Sequence, residues 1–102
     1  MRLTHFEVEA IKKHFTENFG SQDHLWLFGS RTDPAKKGGD IDLYIETPSP
    51  ERMIYKEKEI RFLVMLKDEI EDQKIDVVIN FLPEKKDKLI YQEARRTGIQ
   101  LV

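Results

Sequence analysis

The sequence contains no cysteine, which excludes disulfides, thiolate zinc sites and a cysteine nucleophile. Histidine occurs three times, at His5, His14 and His24, with neither an H-x-H nor an H-E-x-x-H spacing, so histidine-based metal binding is not expected. No apolar run approaches the roughly 20 residues of a membrane span. The first residues, MRLTHFEVEAIKK, place Glu7 and Glu9 where a secretory signal needs an apolar stretch. There is also no excess of positive charge. Seventeen basic against nineteen acidic side chains leave a formal net charge of −2, which argues against direct nucleic-acid binding. With 39% apolar residues the chain is too hydrophobic to stay disordered. At 102 residues it is sized for one domain, spanning 1–102. Folding should bury about 65% of its surface in one modest core. The expectation is a soluble, cytoplasmic protein with no membrane partner.

The elements are well punctuated. Thr4 as N-cap and Glu7 three positions later form a capping box, with Leu3 and Val8 placed as a hydrophobic staple. Val8, Ile11, Phe15 and Phe19 repeat at helical spacing before Gly20, which predicts a helix over 5–19. Leu25 to Phe28 reads as a buried strand, with Trp26 filling core. Residues 29–39 form a loop, marked by Asp33-Pro34 and Gly38-Gly39. From Asp40 to Glu46 the chain alternates: Ile41, Leu43 and Ile45 on one face, Asp40, Asp42, Tyr44 and Glu46 on the other. After the break at Pro48 and Pro50, residues 51–72 predict a helix whose stripe is Met53, Ile60, Leu63, Val64 and Ile70. Ile54, Phe62 and Met65 fall off that stripe. They mark either a partner surface or, as the simpler reading, a helix sandwiched between the sheet and the next helix. Lys74 to Asn80 predicts a strand, 84–97 a last helix and 99–102 a short final strand. The order α-β-β-α-β-α-(β) implies an α/β (α+β) fold, a small sheet with helices packed on it.

Chemistry concentrates in Gly29-Ser30-Arg31, an eight-residue connection, and Asp40-Ile41-Asp42. Alternation puts Asp40 and Asp42 on one face, roughly 6.5–7 Å apart along the strand. Side-by-side carboxylates repel unless a cation sits between them, and Mg²⁺ is a hard cation that takes carboxylate oxygens, water and phosphates. Asp76 stands between apolar neighbours on a later strand. If the two strands pair, three carboxylates meet at one end of the sheet, enough for two divalent ions. Gly29 lets a phosphate approach the backbone, and the turn amides with the Ser30 hydroxyl offer donors. Arg31, Lys36 and Lys37 add positive charge to the same loop. Each feature alone has a plain structural reading: an Asp-x-Asp is usually a solvated strand face. Their joint order carries the inference.

GSR, eight residues, DIDLYIE and then KIDVVIN resemble the minimal nucleotidyltransferases of the DNA polymerase β-like superfamily. The leading helix, the helix between the second and third strands, and the ending ARRTGIQLV extend the likeness over nearly the whole chain. The resemblance implies a small mixed sheet. It also implies that Gly29 and Ser30 hold the β- and γ-phosphates of a nucleoside triphosphate, with Arg31 at phosphate or acceptor. Asp40 and Asp42 would ligate two Mg²⁺ ions, and Asp76 the metal on the acceptor side, orienting or deprotonating the attacking hydroxyl. Minimal members are similar to the MntA-type antitoxins of HEPN/MNT toxin–antitoxin pairs, which transfer AMP from ATP to a tyrosine of a helical HEPN partner. That analogy implies an adenylyltransferase acting on a cognate protein. Two other readings stand beside it. One is an antitoxin that works by stoichiometric binding. The other is a nucleotidyltransferase for a small molecule or RNA, less favoured because 102 residues leave no room for a separate acceptor domain. Tyr44 lies on the Asp40/Asp42 face, placed equally well for packing or for the nucleotide.

Overall fold

A computed structural model describes residues 3–29, 40–70 and 73–102. Helix α1 (His5–Asn18) starts at the expected cap: the Glu7 amide donates to the Thr4 hydroxyl, and the Glu7 carboxylate accepts from the Thr4 amide. Strands β1 (His24–Phe28) and β2 (Ile41–Thr47) follow, then α2 (Arg52–Ile70) and β3 (Ile75–Phe81). A 3-10 turn at Leu82–Glu84 precedes α3 (Leu89–Thr97) and the two-residue β4 (Ile99–Gln100). The sheet order is β3-β2-β1-β4. β1 runs antiparallel to both β2 and β4, whereas β2 and β3 are parallel. Parallel neighbours need a crossover, and α2 supplies it.

The sheet is covered on both faces. Leu25, Leu27, Ile41, Leu43, Ile45, Ile75 and Phe81 turn to one side and pack with α1 and α2 around Ile11, Phe15 and Phe62. Phe28 and Tyr44 turn to the other side and pack with Tyr91 and Ala94 of α3, where Trp26 and Val78 join them. Trp26 is half-buried and Tyr44 fully buried, so Tyr44 packs. Among the described residues no helix is long and apolar enough to cross a membrane.

Three expectations are corrected. The buried side of α2 is Tyr55, Phe62, Leu66 and Ile70, whereas Met53 (86%), Ile60 (53%) and Val64 (65%) are exposed. Phe62 fits edge-to-face against Phe15 and Phe19, with ring centroids 6.2 and 5.7 Å apart. Tyr55 can be buried because its hydroxyl donates to Asp23 at 2.7 Å. The large aromatic rings therefore set the inward direction and turn the β-branched and Met side chains outward. Nor is α2 sandwiched against the last helix: it lies beside α1, and α3 occupies the opposite face of the sheet. The last helix also begins at Leu89 rather than at 84. Pro83 opens a 3-10 turn and Lys85 takes a left-handed conformation (φ 55°), so the helical path is interrupted before α3 starts.

Candidate active site

The end of β1 and the beginnings of β2 and β3 lie at one end of the sheet. In the register of β2 with β3, Asp42 stands directly beside Asp76, and across β1 it faces Phe28. Asp42, Asp76, Tyr44 and Asn80 share the α3 face. There α3 closes over Tyr44, leaving the two carboxylates at the other end, Asp42 half-buried and Asp76 exposed. Asp40 precedes β2 and lies 3.4 Å from Lys74 Nζ through its Oδ2. The Ile41 amide donates to the Lys74 carbonyl at 3.0 Å, which ties the starts of the two strands together.

The electrostatics follow from this geometry. Asp42's carboxyl is pushed up from its ordinary value, first by burial and then by the charges of Asp76 and Asp40; Lys74 opposes them. Gly29 ends β1 with φ 78°, in the left-handed region. A Cβ there would overlap the Asp42 carboxylate, with the carboxyl carbon only 3.1 Å away. The glycine is therefore required both by its own backbone and by the approach of Asp42. Ser30, Arg31, Lys36 and Lys37 lie outside the described residues, as does the remaining phosphate-loop expectation at 30–39.

Among the described residues no three His, Asp or Glu side chains form a ready-made metal cage. The donor set nevertheless fits a hard divalent cation. It offers only oxygens, it is over-charged by its own neighbours, and its partly open position leaves room for water and phosphate ligands. Asp42 and Asp76 would hold such an ion, with Asp40 completing the set once it leaves Lys74. The ion would neutralise phosphate charge and lower the pKa of a coordinated hydroxyl.

Further along the same face lies a polar network that single-residue reading did not assemble. The Tyr44 hydroxyl donates to Glu46 at 2.7 Å and accepts from Asn80 at 2.9 Å. Arg95 of α3 donates to Glu46 at 3.1 Å and approaches Tyr44 at 3.3 Å. Burial and the Glu46 hydrogen bond push the Tyr44 phenol up to about 12. Its sequence signal was the shared face of Tyr44, Glu46 and Asn80, but the Arg95 partner comes from a helix far along the chain. Lys74 carries no such signal: at the start of a predicted strand a lysine is ordinarily solvated. As for the histidines, His14 is buried against Glu69 of α2, while His5 and His24 are exposed.

The family model for the nucleotidyltransferase domain matches residues 8–98. No curated protein sequence is significantly similar to the chain. The match takes in the glycine turn, the Asp-x-Asp strand, the crossover helix and the strand carrying Asp76, the elements that meet at this end of the sheet.

Proposed function

Given that the chain belongs to the nucleotidyltransferase domain family, and so to enzymes of nucleotidyl transfer, we propose that it moves AMP from ATP to a protein hydroxyl. The acceptor in this reading is a tyrosine of a cognate HEPN-type helical protein, and the consequence of transfer is neutralisation of that partner as a toxin. Mg²⁺ serves at Asp40, Asp42 and Asp76. The observation that carries the reading is the side-by-side placement of Asp42 and Asp76, whose mutual repulsion calls for a cation.

The chain's residues divide the work. Gly29 leaves the turn after β1 without a side chain, so a phosphate can approach its backbone, with Ser30 and Arg31 as the residues that would supply donors. Asp42, supported by its β-sheet neighbours, fixes the triphosphate end of the site. Asp76 is the exposed carboxylate, placed to orient the acceptor hydroxyl and take its proton. The acceptor oxygen forms its bond to the α-phosphorus as the bond to the bridging oxygen breaks, and pyrophosphate leaves. A protein acceptor is supported by the outer side of α2, where Met53, Ile54, Ile60 and Val64 form an exposed apolar stripe.

The test is intact mass spectrometry of the partner after incubation with this protein, ATP and Mg²⁺. A mass increase in AMP units, absent with Asp42→Asn, is the expected result. A stable complex without modification, and protection of cells that survives Asp42→Asn, would instead support the stoichiometric reading.

A further inference from the structure

Lys74 sits one residue before β3, with its backbone pinned by the Ile41 amide and its side chain 70% exposed. From there its ammonium reaches the Asp40 carboxylate at 3.4 Å. Among the described residues it is also the cation that acts on Asp42 against the combined charges of Asp76 and Asp40. The carboxylate cluster thus has its own positive charge, attached to the strand that carries Asp76. We propose that Lys74 is an exchangeable counter-cation: it holds Asp40 in the metal-free protein and gives Asp40 up when a divalent cation binds the cluster.

Physical chemistry favours exchange over a permanent bridge. An exposed lysine–aspartate pair is weak, because both ions remain hydrated and the long side chain must be ordered. A lysine ammonium is a compact, hydrated charge on a flexible stem and can swing away with its backbone fixed. A divalent cation carries twice the charge and binds carboxylate oxygens directly. The two cations also repel, so Lys74 sets the threshold at which metal enters. It is a positioning residue, since it acts through Asp40. The inference rests on the nucleotidyltransferase reading of the carboxylates.

The experiment is titration of the full chain with Mn²⁺, without nucleotide, followed calorimetrically and by the Mn²⁺ paramagnetic resonance signal. Wild type, Lys74→Met, Lys74→Arg and Asp42→Asn are compared at low ionic strength, with metal-free thermal melts confirming that each is folded. Lys74→Met should bind Mn²⁺ about three- to tenfold tighter than wild type, and added salt should shrink the difference. Lys74→Arg keeps the charge and should stay close to wild type. Lys74→Met binding equal to or weaker than wild type, alongside lost binding in Asp42→Asn, overturns the role of Lys74 alone. No Mn²⁺ binding by wild type, or binding untouched by Asp42→Asn, overturns the carboxylate reading and this inference with it.

Discussion

At Gly29 two constraints coincide: a left-handed backbone and a carboxylate where a side chain would begin. Gly29→Ala must move Asp42, and displacements of that size cost catalysis about 100-fold. The backbone strain adds about 1–3 kcal/mol of lost stability. Steady-state rates and urea unfolding measure the two effects separately. Asp42 behaves in the opposite way. Its folded carboxyl keeps its proton to higher pH than the unfolded one, so its contribution to stability is greatest at low pH and declines as pH rises through the carboxylate range. Asp42→Asn should therefore melt at the same temperature as wild type or higher in chelator at pH 7, with a smaller gain at pH 5, while transferring no nucleotide. Asp42 and Asp76 were legible in the sequence because strand alternation fixes faces whatever the sheet order. Lys74 was not, because its meaning depends on Asp40, brought near only by the pairing of two separate strands.

Among the elements, α2 was legible in extent and illegible in orientation. Apolar residues run around its circumference, so spacing alone supports more than one inward face. The aromatic cluster of Phe15, Phe19, Tyr55 and Phe62 settles it, and that cluster needs α1 and α2 side by side. Phe62→Ala should cost about 3–5 kcal/mol, as removal of a buried phenyl ring does. Val64→Ala, on the exposed side, should stay within about 0.5 kcal/mol. Urea midpoints of the two variants measure this directly. The start of α3 differs from the sequence expectation for a simpler reason: composition favours helix from 84, but the left-handed Lys85 interrupts it.

For the whole molecule, the two layers of helices are unequal. α1 and α2 share a large apolar core, whereas α3 has only nine residues and is held by Tyr91, Ala94 and the Arg95 contacts. A helix below about 12–15 residues is marginal by itself, so α3 depends on the sheet beneath it. The Tyr44 network is one of those dependencies, and pH reads it. The folded phenol is raised to about 12, so the stability it contributes is present below the ordinary tyrosine range and is lost as pH climbs toward 12. In a tyrosinate absorbance titration, Tyr44 should ionise near pH 12, and Tyr44→Phe should shrink the late phase, to which Tyr55, raised by burial and its bond to Asp23, also contributes.

The parallel alignment of β2 with β3 has one more consequence. A strand's side chains alternate, so sliding β3 by a single residue would turn Asp76 toward Phe62 and Leu66 and expose Ile75 and Val77 in its place. A buried lone carboxylate among aromatic rings is a heavy penalty. Mispaired molecules are thus unstable, and folding itself selects the register: whatever survives folding already has its two aspartates abreast.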